Sequence, residues 1–259
     1  MTEVVSLQQK QECRYPYAQT PTLKRIGALL DICHKTGLLG VVVGEPGTGK
    51  SIAIAAYAAN HTGVFISRMN KTTSSGPAML AKLCREILGF TDRVAPFVLL
   101  DKLVEQITLY EGVELLVIDE VQYLDDDALN ILRDLYDIKE QLGVVLVGND
   151  RFIRRFNQPS GRVSIDQEAR YAALAPLRGR ISKTMLIPAP LEQDIQAICE
   201  FHGIKGKEAW QIVKKIANKE GALRKVADLL SFAERLAPSK QTSYSLPFLK
   251  AAQQFMGEM

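Results

Sequence analysis

The chain has 259 residues, 47% of them hydrophobic and 24% charged, and a formal net charge of +3. That length allows one large domain or a main domain with a small appendage, and the balance is that of a soluble globular protein. No run approaches the ~18 apolar residues that span a bilayer, no signal-peptide pattern opens the chain, and the four cysteines (Cys13, Cys33, Cys84 and Cys199) form no CxxC pair, so membrane, disulfide-framework and zinc-ribbon classes are set aside and a cytoplasmic protein is expected.

Residues 1–19 are polar and irregular and read as an N-terminal extension containing Tyr15-Pro16-Tyr17. Thr20-Pro21 then supplies a cap and a first helical position for a helix to about Lys35. The apolar run Leu38-Leu39-Gly40-Val41-Val42-Val43 predicts a buried strand. Gly44-Glu45-Pro46-Gly47-Thr48-Gly49-Lys50-Ser51 follows it and leads into helix-prone residues 52–59. Short runs rich in Val, Ile and Leu at 63–67, 114–119, 143–148 and 184–187 read as further strands, and the lack of alternation predicts parallel strands covered on both faces. Helical spacing fills 75–89, 96–110 and 126–141. The fold class expected is therefore α/β, a five-stranded parallel sheet flanked by helices. Pro188-Ala189-Pro190 breaks the chain. Beyond it the spacing is helical only, at 191–202, 207–219, 221–236 and 245–256. The domains expected are an α/β core over 20–188 and a small all-α domain over 189–259.

Charge is unevenly spread. From Arg151 to Lys183 eight basic residues face two acidic ones, whereas residues 119–140 carry eight acidic and two basic residues. Opposed patches of this kind suit an anionic ligand or head-to-tail self-association.

The glycine-rich segment fits the pattern GxxxxGK[ST] in its strand–loop–helix context. Gly44, Gly47 and Gly49 let backbone N–H groups turn inward at a helix N-terminus and form an anion nest. Glu45, Pro46, Thr48 and Ile52 complete the stretch that wraps the nucleotide. Lys50 brings a positive charge to the β- and γ-phosphates, and the Ser51 hydroxyl is a ligand for Mg²⁺. Leu115-Leu116-Val117-Ile118-Asp119-Glu120 is a buried strand ending in two carboxylates. Asp119 can reach Mg²⁺, and Glu120 can polarise a water for attack on the γ-phosphate. Asn149, at the end of Leu146-Val147-Gly148-Asn149-Asp150, can hold that water. Arg178 and Arg180 precede the last strand and can act in a neighbouring subunit's site as an arginine finger. Gly221-Ala222-Leu223-Arg224 opens a helix that can bring Arg224 over the same nucleotide.

This order of motifs resembles the AAA+ ATPases over roughly residues 20–236. Ile118-Asp119-Glu120-Val121-Gln122-Tyr123-Leu124 together with Leu146-Val147-Gly148-Asn149-Asp150 resembles the transposition regulators, the phage Mu B, TnsC, TniB and IstB types. The resemblance implies a P-loop core with a helical lid, ATP and Mg²⁺ as cofactors, and slow ATP hydrolysis stimulated by DNA or a partner. It also implies ATP-dependent self-assembly as a ring or filament on duplex DNA, and partnership with a transposase and a target-recognition protein. ATP rather than GTP rests on this resemblance and on the lack of an Asn-Lys-x-Asp guanine motif. About twenty residues before the core are too few for a helix-turn-helix domain, so DNA contact is expected from the ATPase domain itself. In DNA-encircling relatives the region after the second strand faces the central channel, which makes Lys71, Lys82 and Arg93 the candidate DNA contacts. They would read backbone rather than bases, with strong salt dependence. Tyr15 and Tyr17 are candidates to stack on adenine or to pack on the core. A helicase loader or replication-initiation ATPase, and a nucleotide switch that rarely turns over ATP, share the same motifs.

Overall fold

The computed structural model describes residues 17–109, 112–138, 141–156, 165–238, 242 and 244–257. Tyr15, Cys13 and Arg162 lie outside the described residues. The chain divides into two compact units. One contains Ala28–Val43 and Ile54–Leu186; the other contains residues 17–27, Gly44–Ala53 and the chain from Ile187 onward.

The first unit is built on a five-stranded sheet of order β2-β3-β4-β1-β5, formed by β1 (Leu39–Gly44), β2 (Val64–Arg68), β3 (Leu115–Asp119), β4 (Gly143–Gly148) and β5 (Ile181–Ile187). The pairs β1/β4, β3/β4 and β2/β3 are parallel. Every residue of β1, β3 and β4 is buried, as their unbroken apolar runs require when helices cover both faces. The edges differ. Ile181-Ser182-Lys183-Thr184-Met185-Leu186-Ile187 mixes polar and apolar residues and is largely exposed. That is why the sequence predicts only its last four residues as strand.

Helices α1 (Pro21–Thr36), α2 (Lys50–Ala58), α3 (Gly76–Leu88), α4 (Pro96–Leu109) and α5 (Asp126–Ile138) fall within a few residues of their predicted spans. Local chemistry fixes their ends. Thr20 Oγ1 accepts from the Leu23 amide at 3.1 Å, and Asp125 Oδ1 accepts from the Ala128 amide at 2.8 Å. The sequence does not reveal α6 (Asp150–Arg154), α7 (Ile165–Ala173) and α8 (Ala175–Arg180), each shorter than the roughly 11-residue window over which a helical pattern is read. The core of this unit joins Leu39, Val41 and Val43 of β1 to Leu80 and Leu83 of α3, Leu103 of α4 and Leu129 and Leu132 of α5. Cys33, Cys84 and Cys199 are buried free thiols, each pushed up to about 11 by burial. Reactive thiolates need the opposite shift.

In the second unit, α9 (Glu192–Phe201), α10 (Lys207–Ala217), α11 (Ala222–Leu236) and α12 (Leu246–Phe255) pack around Ile195, Val213, Ile216, Val226, Leu229 and Leu249. Asp194 is fully buried there. Its carboxylate accepts from the Thr22 amide (2.9 Å), the Thr22 hydroxyl (2.8 Å) and the Leu191 amide (2.9 Å). These bonds tie the start of α1 to the start of α9 and satisfy helix-terminal amides that have no partner within their own helices. No helix among the described residues is long and apolar enough to cross a membrane.

Candidate nucleotide site

Because the strands run parallel, the C-terminal ends of β1, β3 and β4 share one edge of the sheet. Each carries a predicted functional segment. β1 runs into the glycine-rich loop, and α2 begins at Lys50. Gly47 (φ +85°) and Gly49 (φ +90°) adopt the left-handed backbone that only glycine takes up readily. Thr48 is buried, and its hydroxyl donates to the Glu45 carbonyl at 2.9 Å, which braces the turn. Lys50 Nζ donates to the carbonyls of Gly44 (2.6 Å) and Glu45 (2.9 Å), so the ammonium lies over the loop. Glu45, Pro46, Ser51 and Ile52 are exposed.

The start of α11 belongs to the same unit as the loop. Gly221 (φ +93°) and Ala222 (φ +44°) turn the chain so that the Leu223 amide donates to the Gly47 carbonyl at 3.0 Å. Arg224, the next residue, is exposed on the first turn of that helix. The predicted Gly221-xx-Arg224 segment is thus fastened to the loop by backbone. Tyr17 lies in this unit too, and its hydroxyl is buried with no hydrogen-bond partner among the described residues.

At the end of β3, Asp119 is 5% exposed and its Oδ1 accepts from the Glu120 amide at 2.9 Å. Glu120 has φ +59° and ψ +37°, a left-handed conformation that is uncommon for a residue with a side chain and clusters at functional sites. The parallel register places Arg68 beside Asp119. Arg68 Nη2 donates to Glu120 Oε1 at 3.0 Å, and Gln122 Nε2 donates to Glu120 Oε2. A cleft of about 300 Å³ opens here, lined by Arg68, Met69, Asn70, Glu120 and Tyr123. Asn149, at the end of β4, uses its Oδ1 to cap α6, accepting from the Arg151 amide at 3.0 Å. Its amide NH₂ is the part left to hold a water. Arg155 donates to the Leu124 carbonyl at 2.6 Å and pairs with Asp126, which ties the end of α6 to the turn after β3.

The two arginines before β5 are held differently. Arg178 donates to the Tyr171 carbonyl at 2.5 Å and lies 3.6 Å over its ring. Arg180 is exposed and makes a two-pronged pair with Asp137, at 3.1 and 3.0 Å. The basic and acidic patches noted in the sequence therefore meet partly within the subunit, through Arg180–Asp137 and Arg155–Asp126. Their sequence separation hid this pairing.

Of the candidate DNA contacts, Lys71 is exposed on the 3-10 turn Lys71–Thr73, which Asn70 caps by accepting from the Thr72 amide at 2.8 Å. Arg93 is exposed in the link between α3 and α4. Lys82 is only 20% exposed and pairs with Glu86, which also accepts from the Ser67 hydroxyl at 2.5 Å. Lys82 is thus engaged within the unit. The sequence singles out neither Gln122 nor Tyr171; Arg68 lies in Ser67–Ser75, a polar, basic, hydroxyl-rich stretch suited to phosphate contacts, without a role of its own.

A family model described as an AAA domain matches residues 33–156. A second, described as the C-terminal part of the Mu B transposition protein, matches residues 179–256. The chain is 28% identical over 237 residues to the ATP-dependent target DNA activator B of Escherichia phage Mu, an overlap covering 91% of this chain and 72% of that protein. It is 30% identical over 210 residues to the Mu-like prophage FluMu DNA transposition protein B of Haemophilus influenzae, covering 80% and 69%. Among solved structures, Cdc6p from Pyrobaculum aerophilum superposes with a TM-score of 0.59 at 16% identity, over 93% of this chain and 65% of that one, a likeness of fold alone. The chain therefore belongs to the Mu B transposition protein family, with an AAA domain followed by a Mu B C-terminal domain.

Proposed function

We propose that this protein is an ATP-dependent DNA-binding regulator of transposition that assembles on duplex DNA, marks a target site and engages a transposase. The observation that carries the reading is the glycine loop Gly44–Ser51 wound between a buried strand and a helix, in a chain whose relatives are named as ATP-dependent target DNA activators. The left-handed turns at Gly47 and Gly49 support an anion cradle. Lys50, now bonded to two loop carbonyls, exchanges them for phosphate oxygens, a stronger charge-assisted contact. Ser51 and the buried Asp119 offer hard oxygen donors, the set that suits Mg²⁺. The metal, when bound, neutralises charge on the phosphates. Glu120 takes the proton of the attacking water, Asn149 orients that water through its amide, and Arg224 reaches the nucleotide from α11. Tyr17 supports a base contact, because a buried hydroxyl without a partner is costly unless a ligand satisfies it.

The Arg68–Glu120 pair supports coupling of hydrolysis to DNA. Arg68 adjoins Asn70 and Lys71, the exposed turn proposed to meet the DNA backbone together with Arg93. A phosphate drawing Arg68 away frees one Glu120 oxygen. Steady-state turnover with and without duplex DNA tests this. Wild type is expected to speed up several-fold with DNA. Arg68→Ala is expected to run faster than wild type without DNA and to lose most of the stimulation. A DNA-insensitive wild type with a slower Arg68→Ala would contradict the coupling.

Arg180 is the better candidate for the residue that completes a neighbour's site. Its exposed pair with Asp137 is worth at most about 1 kcal/mol and is easily exchanged for phosphate, whereas Arg178 is held by both a carbonyl and a ring. Arg180→Ala is therefore expected to cut turnover in the assembled state by at least ~100-fold, with ATP affinity of the unassembled protein unchanged. Equal turnover in Arg180→Ala and wild type would remove this role.

A further inference from the structure

We propose that Gln122 is a positioning residue for Glu120, holding one oxygen of its carboxylate so that the other can turn from Arg68 to the attacking water. The proposal rests on the reading of Glu120 as the base for ATP hydrolysis. Both Glu120 oxygens are engaged, Oε1 by Arg68 at 3.0 Å and Oε2 by Gln122. The amide must present its NH₂ to Glu120, because an ionised carboxylate only accepts.

The two restraints are unlike. The Arg68 side chain is 59% exposed at the end of an edge strand, so that contact is solvent-screened and readily opened. Gln122 sits in the 3-10 turn Val121–Tyr123, whose Val121 is fully buried. A Cβ placed on Gly148, the last residue of β4, would lie 2.9 Å from Val121 Cγ1 and 3.1 Å from Gln122 Oε1. The absence of a side chain at Gly148 therefore gives the amide its place between the ends of β3 and β4. One restraint is fixed and the other can be withdrawn.

The other end of the Gln122 amide carries the second observation. Its Oε1 is buried and accepts no hydrogen bond from any described residue. A buried acceptor left in that state costs about 1–3 kcal/mol, a cost a methionine of similar length would avoid while filling irregular space well. Packing alone does not account for glutamine here. An amide that grips the catalytic carboxylate with its NH₂ and turns its oxygen to Gly148 at the end of β4 accounts for both ends.

The test compares kcat, KM and ATP-analogue affinity in the full chain for wild type, Gln122→Met, Glu120→Gln and the double variant. Gln122→Met is expected to bind the analogue within about twofold of wild type and to lower kcat by about 10–100-fold, the scale of a misplaced reacting group. In the Glu120→Gln background the same change is expected to cost less than about twofold, because the group it positions is gone. Should Gln122→Met fail to fold, Gln122→Leu removes the donor without adding a charge beside Glu120 and carries the same expectations. A slow Glu120→Gln with a wild-type kcat in Gln122→Met would overturn the positioning role alone, as would equal losses in both backgrounds or a loss confined to affinity. A fully active Glu120→Gln would overturn the reading of the site as well.

Discussion

Glu120→Gln is expected to bind ATP with near-wild-type affinity, to hydrolyse it at least ~100-fold more slowly, and to remain assembled. The substitution is nearly isosteric and leaves the left-handed backbone at φ +59° with the same conformational cost. Its amide oxygen can still accept from Arg68 or Gln122, so the turn after β3 keeps its support. What disappears is proton acceptance, which contributes about 10²- to 10⁴-fold in general base catalysis. Single-turnover hydrolysis alongside analogue binding separates the two effects. Lys50→Ala is the control for the opposite defect, since it is expected to lose nucleotide and assembly together. A Glu120→Gln protein that turns over like wild type would place the base elsewhere.

Gly47→Ala is expected to weaken ATP binding by at least ~100-fold and to loosen the start of α11. Two costs combine. The left-handed backbone at φ +85° costs an alanine about 1–2 kcal/mol. The new Cβ would also lie 2.1 Å from the Gly221 carbonyl oxygen and 2.7 Å from its carbon. Neither atom belongs to a flexible side chain, so one backbone must move and the Leu223 amide loses the Gly47 carbonyl. Gly49→Ala supplies the comparison. Its φ of +90° carries a similar conformational cost, yet the nearest atom to its Cβ is Leu223 Cδ1 at an ordinary 3.7 Å. A loss nearer tenfold is expected there, since each 1.4 kcal/mol is a factor of ten. Calorimetric titration with an ATP analogue measures both. Equal losses would mean that backbone conformation alone matters and that the contact with α11 is incidental.

The parts of the site that can be read in the sequence are those whose chemistry is contiguous. The loop is legible because glycine spacing, Lys50 and Ser51 lie within eight residues, with conformations set locally. β1, β3 and β4 are legible because burial on both faces leaves an unbroken apolar run. Edge position blurs β5, where Ser182, Lys183 and Thr184 interrupt the pattern. Brevity hides α6 and α8.

What stays hidden depends on register and tertiary contact. Arg68 reaches Glu120 across 52 residues only because β2 pairs with β3 in one alignment. Gln122 looks like one more polar residue until Gly148 and the Glu120 carboxylate are placed around it. The bond from Leu223 to Gly47 joins the loop to a helix far along the chain. The charge runs at 119–140 and 151–183 suggest surfaces for others, yet Arg180 and Arg155 meet Asp137 and Asp126 of the same chain. Composition reports the charges without their partners.

On the proposed function, ATP drives this protein to assemble on duplex DNA and hydrolysis takes it apart. Sedimentation of the wild-type chain with duplex DNA, with a non-hydrolysable ATP analogue, with ADP and without nucleotide tests it most directly. A large, salt-sensitive DNA-bound assembly is expected with the analogue, and small species with ADP or no nucleotide. A chain that stays monomeric with analogue and DNA together, or that coats DNA equally in all three states, would contradict it.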